Sequence, residues 1–225
     1  MKREVRVTAD GSSTIYIPAM DENYHSTHGA IQEAMHVFIK HGLTFFETHA
    51  SSDAIRILEL GFGTGLNALL TSIHQTKKIE YVGIEAFPVE MELIDQLNYF
   101  EVVGEEHGDC FHALHTAPWE KKTVISPLFS LTKVAQKVQL LDLVPASFDL
   151  IYFDAFGPRA QAEMWEKSII EKMVNALDIG GSLVSYCAMG QFKRDLKSLG
   201  MKIEVLPGPP GKREMTRAIK LPQEQ

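Results

Sequence analysis

Near the start of the chain apolar and polar residues alternate through VRV and TIYIP, which predicts one or two short strands ending before Pro18. The period then changes. Ile31, Met35, Phe38 and Ile39 recur at i, i+4, i+7 and i+8, the stripe of an amphipathic helix. Ser26 or Thr27 is placed to cap that helix, and Gly42 marks its expected end. From residue 54 the rhythm becomes strand, turn, helix, repeated. AIRILEL reads as a buried strand, followed by a glycine-rich turn and the helix LNALLTSIHQ. IEYVGIE is the next strand, after which Pro88 opens a helix through VEMELIDQLNYF. The polar, histidine-bearing stretch GEEHGDCFHALHTAPWEKK reads as helical, and LFSLTKV and FDLIYFD as strands. AEMWEKSIIEKMVNAL is a helix, GGSLVSYC a strand, QFKRDLKSLG a helix, and MKIEVLPG pairs with EMTRAIKL across GPPGKR. Strands separated by helices predict an α/β fold with a doubly wound, mostly parallel, seven-stranded Rossmann-like sheet and helices on both faces. The closing hairpin adds one antiparallel strand. Residues 1–50 are expected as a strand-and-helix extension packed on a domain of residues 51–225.

Composition narrows the setting. The chain has 225 residues, 45% of them hydrophobic and 23% charged, ordinary values for a globular domain of this length. No apolar stretch approaches the ~20 residues of a membrane span, and no leader pattern opens the sequence. The two cysteines, Cys110 and Cys187, have no metal-ligand spacing and read as small buried hydrophobes in a reduced, cytoplasmic protein. The front histidines, His25, His28, His36, His41 and His49, form no helical metal pair with an acid, so no metal is expected. A net charge of −7 argues against binding nucleic acid by overall charge. The basic residues nevertheless concentrate in the tail, at Lys193, Arg194, Lys197, Lys202, Lys212, Arg213, Arg217 and Lys220. That distribution fits either a solvated face or a local contact with a phosphate backbone.

The chemistry is read from three strand ends. ILELGFGTGLN places Gly61, Gly63 and Gly65 between the first core strand and its helix, where open sheets bind ligands. The dinucleotide fingerprint is G-x-G-x-x-G, and here the third glycine comes one residue early, with Glu59 just before the first. That variant matches enzymes that bind S-adenosylmethionine, which carries an ammonium and a sulfonium in place of a pyrophosphate. Glu59 then serves the ammonium, directly or through water, and Glu85 at the next strand end serves the ribose hydroxyls. FDLIYFDAFGP decides further: Asp154 and Phe156 at one strand end suit an amine nucleophile, which dinucleotide binding does not require. The plain alternatives are a turn, an exposed strand-end acid and a helix-capping aspartate. Tyr24, His25 and Ser26 either roof the cofactor or form a capping turn.

ELGFGTGLN, DAFGPRAQAEMW and PGPPGKREM together resemble the tRNA methylaminomethyl-uridine methyltransferases, the MnmC-type methyltransferase domain and its stand-alone MnmD-like relatives. The resemblance runs over most of the chain. It implies methyl transfer from S-adenosyl-L-methionine to the 5-aminomethyl group of a wobble uridine, commonly 2-thiolated, in a tRNA anticodon stem-loop. It maps the cofactor loop to Glu59, Gly61, Gly63, Gly65 and Asn67, the ribose acid to Glu85 and the substrate-side acid to Asp154. Phe156, Pro158, Met164 and Trp165 fall in the matching loop and helix, and Lys212 and Arg213 in the closing motif, as expected RNA contacts. The bifunctional members carry an added oxidase domain, so this chain, ending at Gln225, is expected to lack that activity. The third core strand departs from the pattern, with Gln136 and Lys137 where an adenine-reading acid is expected; Gln136, or Asp142 from a shifted loop, takes that place. The competing readings are a methyltransferase for a small-molecule or protein amine, a non-catalytic RNA-binding protein with a vestigial cofactor pocket, and a dinucleotide oxidoreductase.

Overall fold

The structure is a computed structural model that describes residues 2–222. The chain opens with β1 (Glu4–Val7), β2 (Ser13–Ile17) and β3 (Glu22–Asn23), a small antiparallel sheet. A continuous helical run over residues 30–49 follows, made of Ala30–Ala34, a wider π-helical stretch Met35–Thr44, and Phe45–His49. Neither Ser26 nor Thr27 caps it through its side chain. The first free N–H groups are answered instead from the loop before β2: Ala30 donates to Thr8 Oγ1 at 3.3 Å, Ile31 to Ser12 Oγ at 3.3 Å and Gln32 to Asp10 Oδ2 at 2.9 Å. Nor does the helix stop at Gly42. A Cβ there would lie 3.1 Å from Val184 Cγ2 and 3.2 Å from Tyr152 Cε1, so this glycine lets the helix press against the main sheet. A terminator signal and a close-approach signal are the same letter in sequence.

The main sheet comprises β4 (Ala54–Leu60), β5 (Lys78–Ile84), β6 (Thr123–Ser126), β7 (Phe129–Val134), β8 (Phe148–Phe153), β9 (Leu177–Ser185), β10 (Met201–Pro207) and β11 (Glu214–Lys220). Their spatial order is β10-β11-β9-β8-β4-β5-β7-β6. The pairs β4/β5, β4/β8, β5/β7 and β8/β9 are parallel, and β9/β11 and β10/β11 antiparallel, as the α/β rhythm and the closing hairpin predict. One strand goes beyond the expected seven. β6 forms an edge of the sheet, pairing antiparallel with β7 across Pro127 and Leu128, and its four residues are too few for alternation to reveal. Helices Leu66–His74, Gly108–Thr116, Lys167–Ala176 and Gly190–Ser198 cover the sheet's two faces. One core joins Phe38 and Leu43 of the long helix to Ile57, Leu69 and Tyr152, so residues 30–49 share the domain's interior. The other face buries Leu58, Ile151, Phe153, Trp165, Met173 and Phe192. Winding reverses at β4, which has β5 on one side and β8 on the other, and a cleft opens at that switch point.

Candidate active site

The cleft lies beyond the carboxyl ends of β4, β5, β7 and β8 and holds about 1430 Å³. That exceeds the roughly 300–1,000 Å³ of a site for one small ligand. Glycine at 61 is dictated by its neighbour: φ is +96° and a Cβ would fall 2.5 Å from the Asp154 carbonyl oxygen. The turn is then pinned from several sides. Gly61 and Phe62 both donate to Ile84 O at 3.0 Å, and Gly63 donates to Glu85 Oε2 at 2.9 Å. Phe87 donates to Glu85 Oε1 at 2.9 Å, so two backbone N–H groups fix this carboxylate while leaving lone pairs toward the cleft.

Thr64 ties the turn to two other segments. Tyr99 donates its hydroxyl hydrogen to Thr64 Oγ1 at 3.1 Å, and Thr64 Oγ1 stands 2.6 Å from His25 Nε2. Burial lowers the His25 pKa to about 4, so its ring is uncharged at neutral pH while it shares this hydrogen bond with Thr64. His115 reaches the Thr64 carbonyl at 3.2 Å, and Lys133, 1% exposed, donates to the His115 carbonyl at 2.6 Å. Burial lowers Lys133 to about 8.

Glu59, Asn67 and Asp154 form the centre. Asn67 Nδ2 donates to Glu59 Oε1 and to Asp154 Oδ2, each at 2.8 Å. Glu59 is wholly buried and lines no part of the cleft. It therefore stands one layer behind Asn67, which does line the cleft. Burial, reinforced by the charge of Asp154, pushes the Glu59 carboxyl well above its usual range. Asp154 extends β8, its N–H donating to Leu60 O at 3.0 Å. Burial and the charge of Glu33 raise its pKa to about 7, against the opposing effects of the Asn67 bond and Lys212. Phe156 meets Tyr24 edge-on with centroids 4.9 Å apart, so Tyr24 roofs the cleft from the N-terminal segment.

A model of an S-adenosyl-L-methionine-dependent methyltransferase family matches residues 122–221. The tRNA 5-methylaminomethyl-2-thiouridine biosynthesis bifunctional protein MnmC of Cupriavidus metallidurans is 30% identical over 222 residues, 91% of this chain and 32% of that protein. Over residues 122–221 the chain is thus similar to the S-adenosyl-L-methionine-dependent methyltransferases. MnmC of Leptospira interrogans is 28% identical over 210 residues, covering 87% of this chain and 32% of its own length. The chain thus spans about a third of the length of these curated relatives. In fold, the crystal structure of MNMC2 from Aquifex aeolicus matches with a TM-score of 0.74 at 23% identity, over 99% of this chain and 73% of that one.

The cleft residues fit S-adenosyl-L-methionine. Asn67 Oδ1 has no hydrogen-bond partner among the described residues, which leaves a buried acceptor for an ammonium group at the cleft wall. Glu85 offers its free lone pairs to a diol, and Gln136 lines the same cleft as an exposed amide. Asp142 is not among the cleft residues.

The expected substrate-side residues separate. Asp154, Phe156 and Met164 line the cleft. Trp165 does not: it is 5% exposed and donates Nε1–H to Phe156 O at 2.8 Å, supporting the loop from beneath instead of meeting RNA. Pro158 also lies off the cleft lining. Lys212 turns inward, pairing with Glu33 and standing 3.7 Å above the Tyr186 ring, so its charge is already engaged within the protein. Arg213 points outward with its side chain 95% exposed. Glu33 and Tyr186 carry no motif. Glu33 in particular sits on what periodicity reads as the solvated side of a helix.

Proposed function

We propose that this methyltransferase N-methylates the 5-aminomethyl group of a uridine, commonly 2-thiolated, at the wobble position of tRNA. One observation carries the reading: Asp154, an acid with a pKa raised to about 7, opens into the same cleft as the glycine turn. Bound S-adenosyl-L-methionine supplies a methyl group on a sulfonium, and the residues of the chain align and deprotonate the acceptor. A primary alkylamine is largely protonated at neutral pH and must lose a proton before its lone pair can attack. An unshifted aspartate near ~4 accepts that proton poorly, whereas one near 7 is far better matched. Asp154 Oδ2 is fixed by Asn67, which leaves the other oxygen to hold the amine. Phe156 and Tyr24 give the pyrimidine an aromatic wall and keep water off the reacting atoms.

The cleft volume supports the second partner, since it admits a nucleoside beside the cofactor. The uridine would enter splayed from an anticodon stem-loop, as sequence-specific recognition of single-stranded RNA requires. Arg213, with Arg194 and Lys197 on the neighbouring helix, provides the phosphate contacts in this reading. Work on tRNA also accords with the cytoplasm. The relatives named for 5-methylaminomethyl-2-thiouridine biosynthesis favour this substrate over a small-molecule or protein amine. Nucleoside analysis of tRNA from cells lacking the protein tests it. We expect 5-aminomethyluridine to accumulate at the expense of its N-methylated form, and an unchanged profile would refute the proposal.

A further inference from the structure

Two residues on opposite walls of the cleft meet near Asp154, and neither belongs to the cofactor loop. Glu33, on the first helix, is 7% exposed, and its Oε2 accepts the Ser26 N–H at 3.0 Å. Lys212, in the hairpin turn between β10 and β11, pairs its Nζ with Glu33 Oε1. The same ammonium lies 3.7 Å over the ring of Tyr186, whose hydroxyl donates to Ala155 O at 2.8 Å, beside Asp154. Glu33, Lys212, Tyr186 and Asp154 all line one cleft. A lysine held by a buried carboxylate and an aromatic face is a fixed charge, because its long side chain has been immobilised.

We infer that Glu33 and Lys212 form a positioning pair that sets the proton affinity of Asp154 and locks the N-terminal segment to the closing hairpin around the acceptor amine. This deepens the proposed function and rests on its assignment of Asp154 as proton acceptor. The two residues act on Asp154 in opposite directions. The Glu33 carboxylate opposes its ionisation and the Lys212 ammonium favours it. The other groups around Asp154 are Glu59 on β4, Asn67 on the following helix, Tyr81 on β5 and Tyr186 after β9. None of these provides a positive charge, so Lys212 is the cation among them. Without it, two acids would face the acceptor amine with nothing to keep Asp154 from holding its proton well above neutrality. Without Glu33, the unopposed ammonium would repel an incoming alkylammonium and weaken Asp154 as a base.

The test follows the Asp154 carboxyl by carbon NMR in protein labelled at aspartate, the resonance being assigned by its loss in Asp154→Asn. Titrations of wild type, Glu33→Gln, Lys212→Met, Lys212→Arg and the Glu33→Gln/Lys212→Met double variant are compared. The midpoint is expected to fall in Glu33→Gln and rise in Lys212→Met, each by about one pH unit. It should stay near wild type in Lys212→Arg and in the double variant, where charge is restored or both charges are gone. The acid limb of the kcat profile on tRNA should move with the midpoint. Coincident midpoints in all folded variants would overturn the inference, even if Asp154→Ala is inactive. Midpoints that move as expected while the kcat limb stays fixed would uphold the charge-setting pair and refute Asp154 as proton acceptor. Melting curves identify any variant that fails to fold, and the Arg and double variants still decide the sign.

Discussion

Replacing Asp154 with asparagine removes a proton acceptor and a recessed charge together, and the two consequences run in opposite directions. Turnover on tRNA should fall by roughly 10²–10⁴-fold, the usual loss of a general base, while cofactor affinity stays near wild type. Near-normal turnover would exclude the role. Stability should move the other way. The folded carboxyl titrates near 7, above the ~4 of an unfolded aspartate, so between those pH values the folded chain binds the extra proton. Wild-type stability is therefore greatest below that window and falls as pH rises through it. Asp154→Asn escapes the loss, roughly 4 kcal/mol over a window of about three pH units, and should melt roughly 8–16 °C higher than wild type at pH 8, the gain vanishing toward pH 4. A gain of equal size at both pH values would contradict the raised pKa. Asp154 was legible in sequence because FDLIYFD is a buried strand ending in an acid. Its proton affinity was not, since that depends on burial and on Glu33 and Lys212, which are 179 positions apart in the chain.

Among elements, the glycine turn shows which kind of constraint a motif records. Its spacing correctly placed a turn between β4 and the helix Leu66–His74, but the reasons for two of its residues lie in distant segments. Gly61 is required by the carbonyl of Asp154, and Thr64 by His25, Tyr99 and His115. Gly61→Ala should displace the end of β8 and abolish cofactor binding, measured by calorimetric titration. Unchanged affinity would show that the turn tolerates the shift. Thr64→Val deletes the hydroxyl and leaves the Tyr99 and His25 groups unpaired, which should cost about 2–3 kcal/mol in denaturant unfolding. A change below ~0.5 kcal/mol would mean that the lock contributes little. The long helix carries a parallel lesson. Its apolar stripe was plain, yet its cap came from Thr8, Asp10 and Ser12 and its glycine served packing. Local pattern reveals an element's existence more readily than its ends, because ends are finished by whatever tertiary neighbour supplies the missing partner.

Across the whole molecule, the charge distribution read from the tail turns out to be mostly internal. Lys193 pairs with Glu214 at 3.4 Å, Lys202 with Glu204 at 3.1 Å and Arg217 with Glu204 at 2.7 Å. Lys220 donates to the carbonyls of Val174 at 2.8 Å and Leu177 at 2.6 Å. Lys193 and Lys220 tie the hairpin to neighbouring elements, and the two Glu204 pairs lie within it. A count of basic residues cannot separate such pairs from free charge, which is why composition overstated the basic face. Arg213 remains outward, so Arg213→Ala should weaken tRNA binding and lower the salt slope by about one counterion, while Arg217→Ala should mainly reduce stability. Equal salt slopes for wild type and Arg213→Ala would place the phosphate contacts elsewhere. The identity of the acceptor is decided by incubating the purified protein with S-adenosyl-L-methionine and tRNA bearing 5-aminomethyluridine, then measuring the nucleosides by mass spectrometry. Conversion of 5-aminomethyluridine to 5-methylaminomethyluridine is expected, lost in Asp154→Ala. Methylation of small amines or protein with the tRNA nucleoside left untouched would contradict that acceptor.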